Sequence, residues 1–119
     1  MRFNQVKNIK DLVYYLTNSN TSLTVKKATP IDYYGVRVYI NVIYSYSTPI
    51  AYIITNPLGR KEKNTYYPTK ILYVLEKGEN FSVTTAKYLY TLRKICDVLI
   101  SREMLKTILS NAGFTTGRL

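Results

Sequence analysis

The clearest alternation of apolar and polar positions lies between Val36 and Ile43, where Val36, Val38, Ile40 and Val42 alternate with Arg37, Tyr39, Asn41 and Ile43. A period of two puts the branched side chains on one face of a pleated strand. The other face carries Arg37, Tyr39 and Asn41, which predicts an antiparallel sheet wetted on one side rather than a parallel sheet covered on both. Shorter copies of the pattern predict strands at Leu23–Lys26, closed by Pro30, at Ile50–Thr55 and at Ile71–Leu75. Pro49 has no amide for a ladder bond, so the chain must turn, bulge or become an edge around Ser45-Tyr46-Ser47-Thr48, and a hairpin is expected there. Asn56-Pro57-Leu58-Gly59 carries proline and glycine at the second and fourth turn positions, which predicts a type I turn. A charged loop, Arg60 to Asn64, should follow, and Pro68 argues against a central strand beside Tyr66 and Tyr67. Glu76 to Asn80 reads as a polar turn, and Phe81-Ser82-Val83 as at most a short last strand.

Helical spacing appears at both ends. Asn8 is a candidate N-cap with Asp11 at the third position, and Ile9, Leu12, Val13 and Leu16 line one face until Asn18-Ser19-Asn20. Leu89, Leu92, Ile95, Cys96 and Leu99 recur at spacings of three and four, which predicts a helix capped by Thr84 or Thr85 and running to about Ile100. Ser101 is a second cap candidate before Met104, Leu105, Ile108, Leu109 and Ala112, with Gly113 as the stop. A bend near Ser101 and one continuous helix are both compatible with the spacing. Phe114 to Leu119 reads as a frayed tail. The expected fold class is α+β, a small antiparallel sheet of three or four strands packed against C-terminal helices, with an N-terminal helix.

A length of 119 residues bounds this to a single domain over 1–119. No apolar run reaches the ~20 residues needed to span a bilayer, and the segment after Met1 is amphipathic rather than a secretory signal. A cytoplasmic setting, and no membrane partner, are therefore expected. The chain has no histidine and one cysteine, Cys96. That removes the commonest general base and zinc ligand, excludes an internal disulfide, and leads to the expectation of no metal and no cofactor. Cys96 on the apolar stripe reads as a buried hydrophobe. No phosphate-binding glycine loop, nucleophile elbow or dinucleotide fingerprint is present, and the seven acidic residues are scattered among lysines. Only Glu76 and Glu79 are close, in a turn whose ordinary role is a solvated surface. The expectation is a protein that is not an enzyme.

Seventeen Lys and Arg against seven Asp and Glu give a formal charge of +10, which favours polyanionic partners through counterion release. Basic proteins also bind acidic protein surfaces. Thirteen tyrosines accompany the charge, a number that A+T-rich coding or a binding face would equally produce. The strongest binding candidate runs from Arg60 to Lys70: Arg60, Lys61, Lys63 and Lys70 would meet phosphates while bases stack on Tyr66 or Tyr67. An ordinary charged hairpin loop with its tyrosines tucked under the sheet has the same composition. A second basic set, Lys87, Arg93, Lys94, Arg102 and Lys106, lies off the apolar stripes, with Lys87, Tyr90 and Lys94 on one outward face. A solvated helix face would look alike.

Two segments, Ser45-Tyr46-Ser47-Thr48-Pro49-Ile50-Ala51 and Phe81-Ser82-Val83-Thr84-Thr85-Ala86-Lys87-Tyr88, together resemble a domain family of unknown function found in small proteins of phages and other viruses. That family has a strand with Ser-Tyr-x-Thr-Pro-x-Ala, then Tyr-Ser-x-Thr-Thr-Ser-Lys-His leading into a helix. Here Phe81, Ala86 and Tyr88 replace its tyrosine, serine and histidine. The resemblance implies a viral or mobile-element origin and a small antiparallel sheet with a helix, but no activity. The expected function is a non-enzymatic binding protein contacting nucleic acid electrostatically through the basic, tyrosine-containing loop and basic helix faces. The alternatives are a protein-binding inhibitor or modulator of a host machine with an acidic surface, and a minor virion structural protein. Pairing of two copies at a sheet edge near Pro49, or at a tyrosine-rich sheet face, stays open.

Overall fold

A computed structural model describes residues 2–18, 21–27, 30–33, 35–76 and 81–114, with the backbone alone for Tyr33, Leu58, residues 60–62 and residues 66–68. The order of elements is α1 (Ile9–Asn18), β1 (Leu23–Lys27), β2 (Ile31–Tyr33), β3 (Val36–Ser45), β4 (Thr48–Glu62), β5 (Thr65–Leu75), α2 (Val83–Ile95), β6 (Val98–Ile100) and α3 (Arg102–Asn111). The fold is α+β, as expected, but the sheet is larger and mixed: six strands in the order β1-β3-β4-β5-β6, with β2 also on β3. β1 pairs with Asn41–Ser45 and β2 with Val36–Val38 of the same strand, both antiparallel.

The expected purely antiparallel sheet is corrected at the far edge, where β6 runs parallel to β5. The link between them is α2, in keeping with the crossover that parallel neighbours require. The predicted long helix therefore stops at Ile95, and neither a bend at Ser101 nor one continuous helix occurs. Val98, Leu99 and Ile100 are strand, and Leu99, assigned by spacing to the helical stripe, is half exposed. Asp97 holds this edge in place. Its Oδ2 accepts from the Leu72 amide at 2.8 Å while its own amide donates to Leu72 O at 2.9 Å, continuing the ladder one residue beyond β6.

The caps follow the sequence in two helices and depart from it in one. Asn8 Oδ1 accepts from the Asp11 amide at 2.8 Å, and Ser101 Oγ from Met104 at 3.2 Å. For α2 the cap is Ser82, whose Oγ accepts from the Thr85 amide at 3.1 Å, rather than Thr84 or Thr85, so Phe81-Ser82-Val83 is no strand. Gly113 ends α3 with φ +86°, the left-handed conformation that glycine adopts without strain. Phe114 is not frayed: its amide bonds to Leu109 O and its ring lies 6.3 Å from that of Tyr44. Residues 115–119, and all of the 76–80 turn except Glu76, lie outside the described residues.

Helices cover both faces of the sheet. The register sets Val25, Ile43, Ala51 and Val74 on one face and Val42, Tyr52 and Tyr73 on the other. α1 and α2 share the first face, joined by Phe3, whose ring is 5.0 Å from both Tyr15 and Tyr88. α3 lies over the second, where Met104 and Ile108 border Tyr52 and Tyr73. This explains why β3 alternates only in its first half: Val42, Ile43, Tyr44 and Ser45 are all buried because both faces are covered there. The expectation of one wetted face holds for Arg37 and Tyr39 alone.

Ser45 and Thr48 close the expected hairpin around Tyr46, and Pro49 is accommodated at a bulge in β4 opposite Tyr44 rather than on an open edge. The predicted type I turn at Asn56–Gly59 does not reverse the chain. Pairing resumes from Asn56↔Thr69 to Arg60↔Tyr67, so Pro57, Leu58 and Gly59 form a bulge, with Gly59 at φ +48°. The reversal comes at Lys63-Asn64, both with positive φ (48° and 65°), the conformation of a two-residue hairpin turn.

Candidate nucleic-acid interface

The bulge and the turn together produce the most distinctive surface feature. β3 stops pairing with β4 at Tyr39↔Thr55, whereas β4 and β5 continue to Glu62↔Thr65. Asn56–Glu62 and Thr65–Thr69 thus form a two-stranded arm beyond the sheet, roughly 15–20 Å long at about 3.3 Å per residue. The charged loop expected from Arg60 to Asn64 is mostly strand. Arg60 and Lys61 sit on one strand of the arm, Tyr66 and Tyr67 opposite them, and Lys63 at its exposed tip. The side chains of Arg60, Lys61, Tyr66 and Tyr67 lie outside the described residues.

Lys70 is at the root of the arm and belongs to a different constellation. Across the sheet, Tyr39, Thr55 and Lys70 form one row, and Lys27, Asn41, Ile53 and Leu72 the next row on the same face. α1 stops short of covering these rows. The result is a cleft of about 440 Å³ with apolar lining from Val13, Leu16, Val25 and Ile53 and polar lining from Thr17, Lys27, Tyr39, Asn41, Thr55 and Lys70; Ile40 also borders it, although its side chain alternates onto the opposite face. Among the described residues, no acidic one lines it. Sequence reading missed Lys27, Tyr39, Asn41 and Thr55, because only the register between β1, β3, β4 and β5 aligns them. The one available signal was the polar face of the alternating strand.

The second predicted surface, on α2, is separate. Lys87 and Tyr90 border an open depression with Phe81, Val83, Ala86, Thr91 and Asn4, which has no lining residue in common with the cleft. Lys94 stands over the Tyr90 ring, its Nζ 4.1 Å from the centroid, so cation and ring are already paired. Arg93 leaves the basic set altogether: its Nε donates to Leu75 O at 2.9 Å, tying α2 to β5. Arg102 and Lys106 are half-buried.

The two segments that carry the family resemblance meet in the structure. Ser45 Oγ and Thr85 Oγ1 are 2.7 Å apart and buried, and Ser82 Oγ donates to Thr85 Oγ1 at 3.0 Å. Tyr88, at the family's histidine position, pairs its hydroxyl with Ser22 Oγ at 2.9 Å. These contacts join α2 to the β3–β4 hairpin and to the lead of β1.

Cys96 follows the last turn of α2, half-buried, its Sγ donating to Arg93 O at 3.3 Å. Burial, helped by the charge of Asp97, pushes its thiol above the ordinary value. Burial likewise raises the Tyr44 phenol. Among the described residues no three His, Cys, Asp or Glu side chains come together as a metal site. Nor is any helix there long and apolar enough to cross a membrane.

The fold and surface together define an α+β protein with helices on both faces of a mixed sheet and a cationic arm extending from it. No family model matches the chain, and neither a curated protein nor a solved structure matches it.

Proposed function

We propose that this protein is a non-enzymatic nucleic-acid binder that engages phosphates through the β4–β5 arm and the cleft at its root. The carrying observation is the arm itself: a two-stranded ribbon beyond the sheet with Arg60, Lys61 and Lys63 at its distal part and Lys70 at its base, on a chain of formal charge +10. A ribbon of this width enters a groove or lies along a single strand, and its sequence includes Tyr66 and Tyr67, a residue type on which bases stack. A viral or mobile-element origin agrees with the resemblance noted above. The test is fluorescence anisotropy of labelled single-stranded DNA, duplex DNA and RNA with the full chain over a salt series. Affinity that falls steeply with salt supports the reading. No binding to any of the three at low salt overturns it.

A second reading, a protein partner, is favoured by one observation. The outer edge of β6 pairs with no described strand, and beside it Val98, Leu99 and Met104 are exposed by 39%, 49% and 53%. An exposed apolar edge is where another chain adds a strand. Capture of a host protein from lysate that survives nuclease treatment and is lost on Leu99→Lys would favour this reading.

A further inference from the structure

We infer that the cleft between α1 and the sheet receives one unstacked nucleotide of a bound single strand, its base on the apolar floor and its two flanking phosphates on Lys27 and Lys70. This rests on the nucleic-acid reading above and adds a base pocket on the body of the protein.

The shape of the ligand follows from where the cations stand. Lys27 is on β1 and Lys70 on β5, three strand spacings apart, which is about 14 Å between backbones at ~4.8 Å per spacing. Both lysines line the cleft from its opposite ends, so they bracket it rather than converge on one point. Two anionic groups with a flat body between them match this arrangement, as successive phosphates of a strand and the nucleoside they enclose would. The cleft volume of about 440 Å³ lies within the ~300–1,000 Å³ range of small-ligand sites.

The floor selects a base over an alkyl chain. Val13, Leu16, Val25 and Ile53 supply its apolar lining, and Tyr39, exposed by 47%, stands at one side with its ring available for stacking. Asn41 is half-buried among these groups, and its side-chain amide is held by no hydrogen bond from another described residue. Covering it with hydrocarbon would leave both its donor and its acceptor unpaired. A base edge presents donors and acceptors side by side, which an asparagine amide answers at two points. Thr55 offers a further hydroxyl in the neighbouring row.

The minimal probe is thymidine 3′,5′-bisphosphate, one base with two flanking phosphates, compared with abasic deoxyribose 3′,5′-bisphosphate. Each is titrated into the ¹⁵N-labelled full chain and followed by amide chemical shifts, alongside anisotropy of a labelled single-stranded oligonucleotide. The expected result is saturable shifts at Asn41, Ile53 and Thr55 with the nucleotide, about 5- to 150-fold weaker binding of the abasic probe, and loss of that difference in Asn41→Leu. Lys27→Gln and Lys70→Gln should weaken both probes. If the oligonucleotide binds but the nucleotide shifts only arm residues, or both probes bind equally, the base pocket is wrong and the arm reading stands. If neither oligonucleotide nor nucleotide binds, the nucleic-acid reading fails and the pocket with it. Should Asn41→Leu not fold, the comparison of the two probes on the unaltered chain decides the matter alone.

Discussion

Removing the buried hydroxyl pair between Ser45 and Thr85 should expose how the hairpin and α2 depend on each other. Ser45 is 1% exposed and Thr85 4%, and their oxygens are 2.7 Å apart. Ser45→Ala leaves Thr85 Oγ1 with the Ser82 hydroxyl alone, whereas Thr85→Val, nearly isosteric, leaves Ser45 Oγ without its Thr85 partner. An orphaned buried hydroxyl costs about 1–3 kcal/mol, whereas replacing both members by apolar groups removes the penalty of the orphan. Thr85→Val is therefore predicted to lose ~1–3 kcal/mol, and Ser45→Ala, after which Thr85 keeps the Ser82 hydroxyl, about 0.5–1.5 kcal/mol. The double variant should lose at least ~1 kcal/mol less than the sum of the singles, which is a coupling of the size seen for contacting residues. Urea unfolding at constant m-value measures all four corners of the cycle. In a thermal scan each kilocalorie should appear as a fall of roughly 3–6 °C for a domain of this size. Additivity within about 0.3 kcal/mol, the behaviour of distant sites, would refute the claim that these hydroxyls form one buried unit.

Three further outcomes are expected. Ser82→Ala should destabilise by ~1 kcal/mol as a lost N-cap, while Thr84→Ala, at an exposed position, should stay within about 0.5 kcal/mol; equal effects would contradict the assignment of the cap. Asp97→Ala should free the Leu72 amide and loosen β6, raising hydrogen exchange at Leu72 about tenfold for each ~1.4 kcal/mol lost, and unchanged exchange would mean that the carboxylate does not hold this edge. The thiol of Cys96, raised by burial and by Asp97, should alkylate more slowly than a model thiol at neutral pH and at the ordinary rate once unfolded. Its sign in linkage is that of a group neutral in the folded state. The stability it supports is complete below the unfolded pKa and falls as pH rises through the higher folded one. Greater stability at alkaline pH attributable to Cys96 would contradict this.

What the sequence made legible, and what it hid, divides along physical lines. Local chemistry was readable: the Asn8 and Ser101 caps, the Gly113 stop, and the alternation of β3 from Val36 to Val42 each depend on near neighbours. Leu99 was misread because its spacing from Leu92 and Cys96 continues a helical stripe, while the Asp97–Leu72 contact that recruits it into the sheet is tertiary. Pro57 and Gly59 were misread for a related reason. Proline then glycine suits a turn, and the same conformations suit a bulge when flanking residues find ladder partners on β5. Lys63-Asn64 carries no glycine, so its left-handed turn left little trace in the sequence. The arm residues from Arg60 to Lys70 were legible as a basic, aromatic set, though not as a projecting ribbon. The cleft was invisible, because Lys27, Tyr39, Asn41, Thr55 and Lys70 become neighbours only through three registers at once. Conversely, the segments around Ser45 and Thr85 that prompted a family resemblance turn out to meet in a structural joint.

Contact between the arm and phosphates is tested most directly by the salt slope of single-strand binding for the unaltered chain against a variant with Arg60, Lys61 and Lys63 each changed to Gln. Each phosphate contact contributes a slope of about −0.7 in log K against log salt for a single strand. Loss of three contacts should flatten the slope by about 2, with the folded state intact by circular dichroism. A slope and affinity unchanged by the three substitutions would contradict the claim.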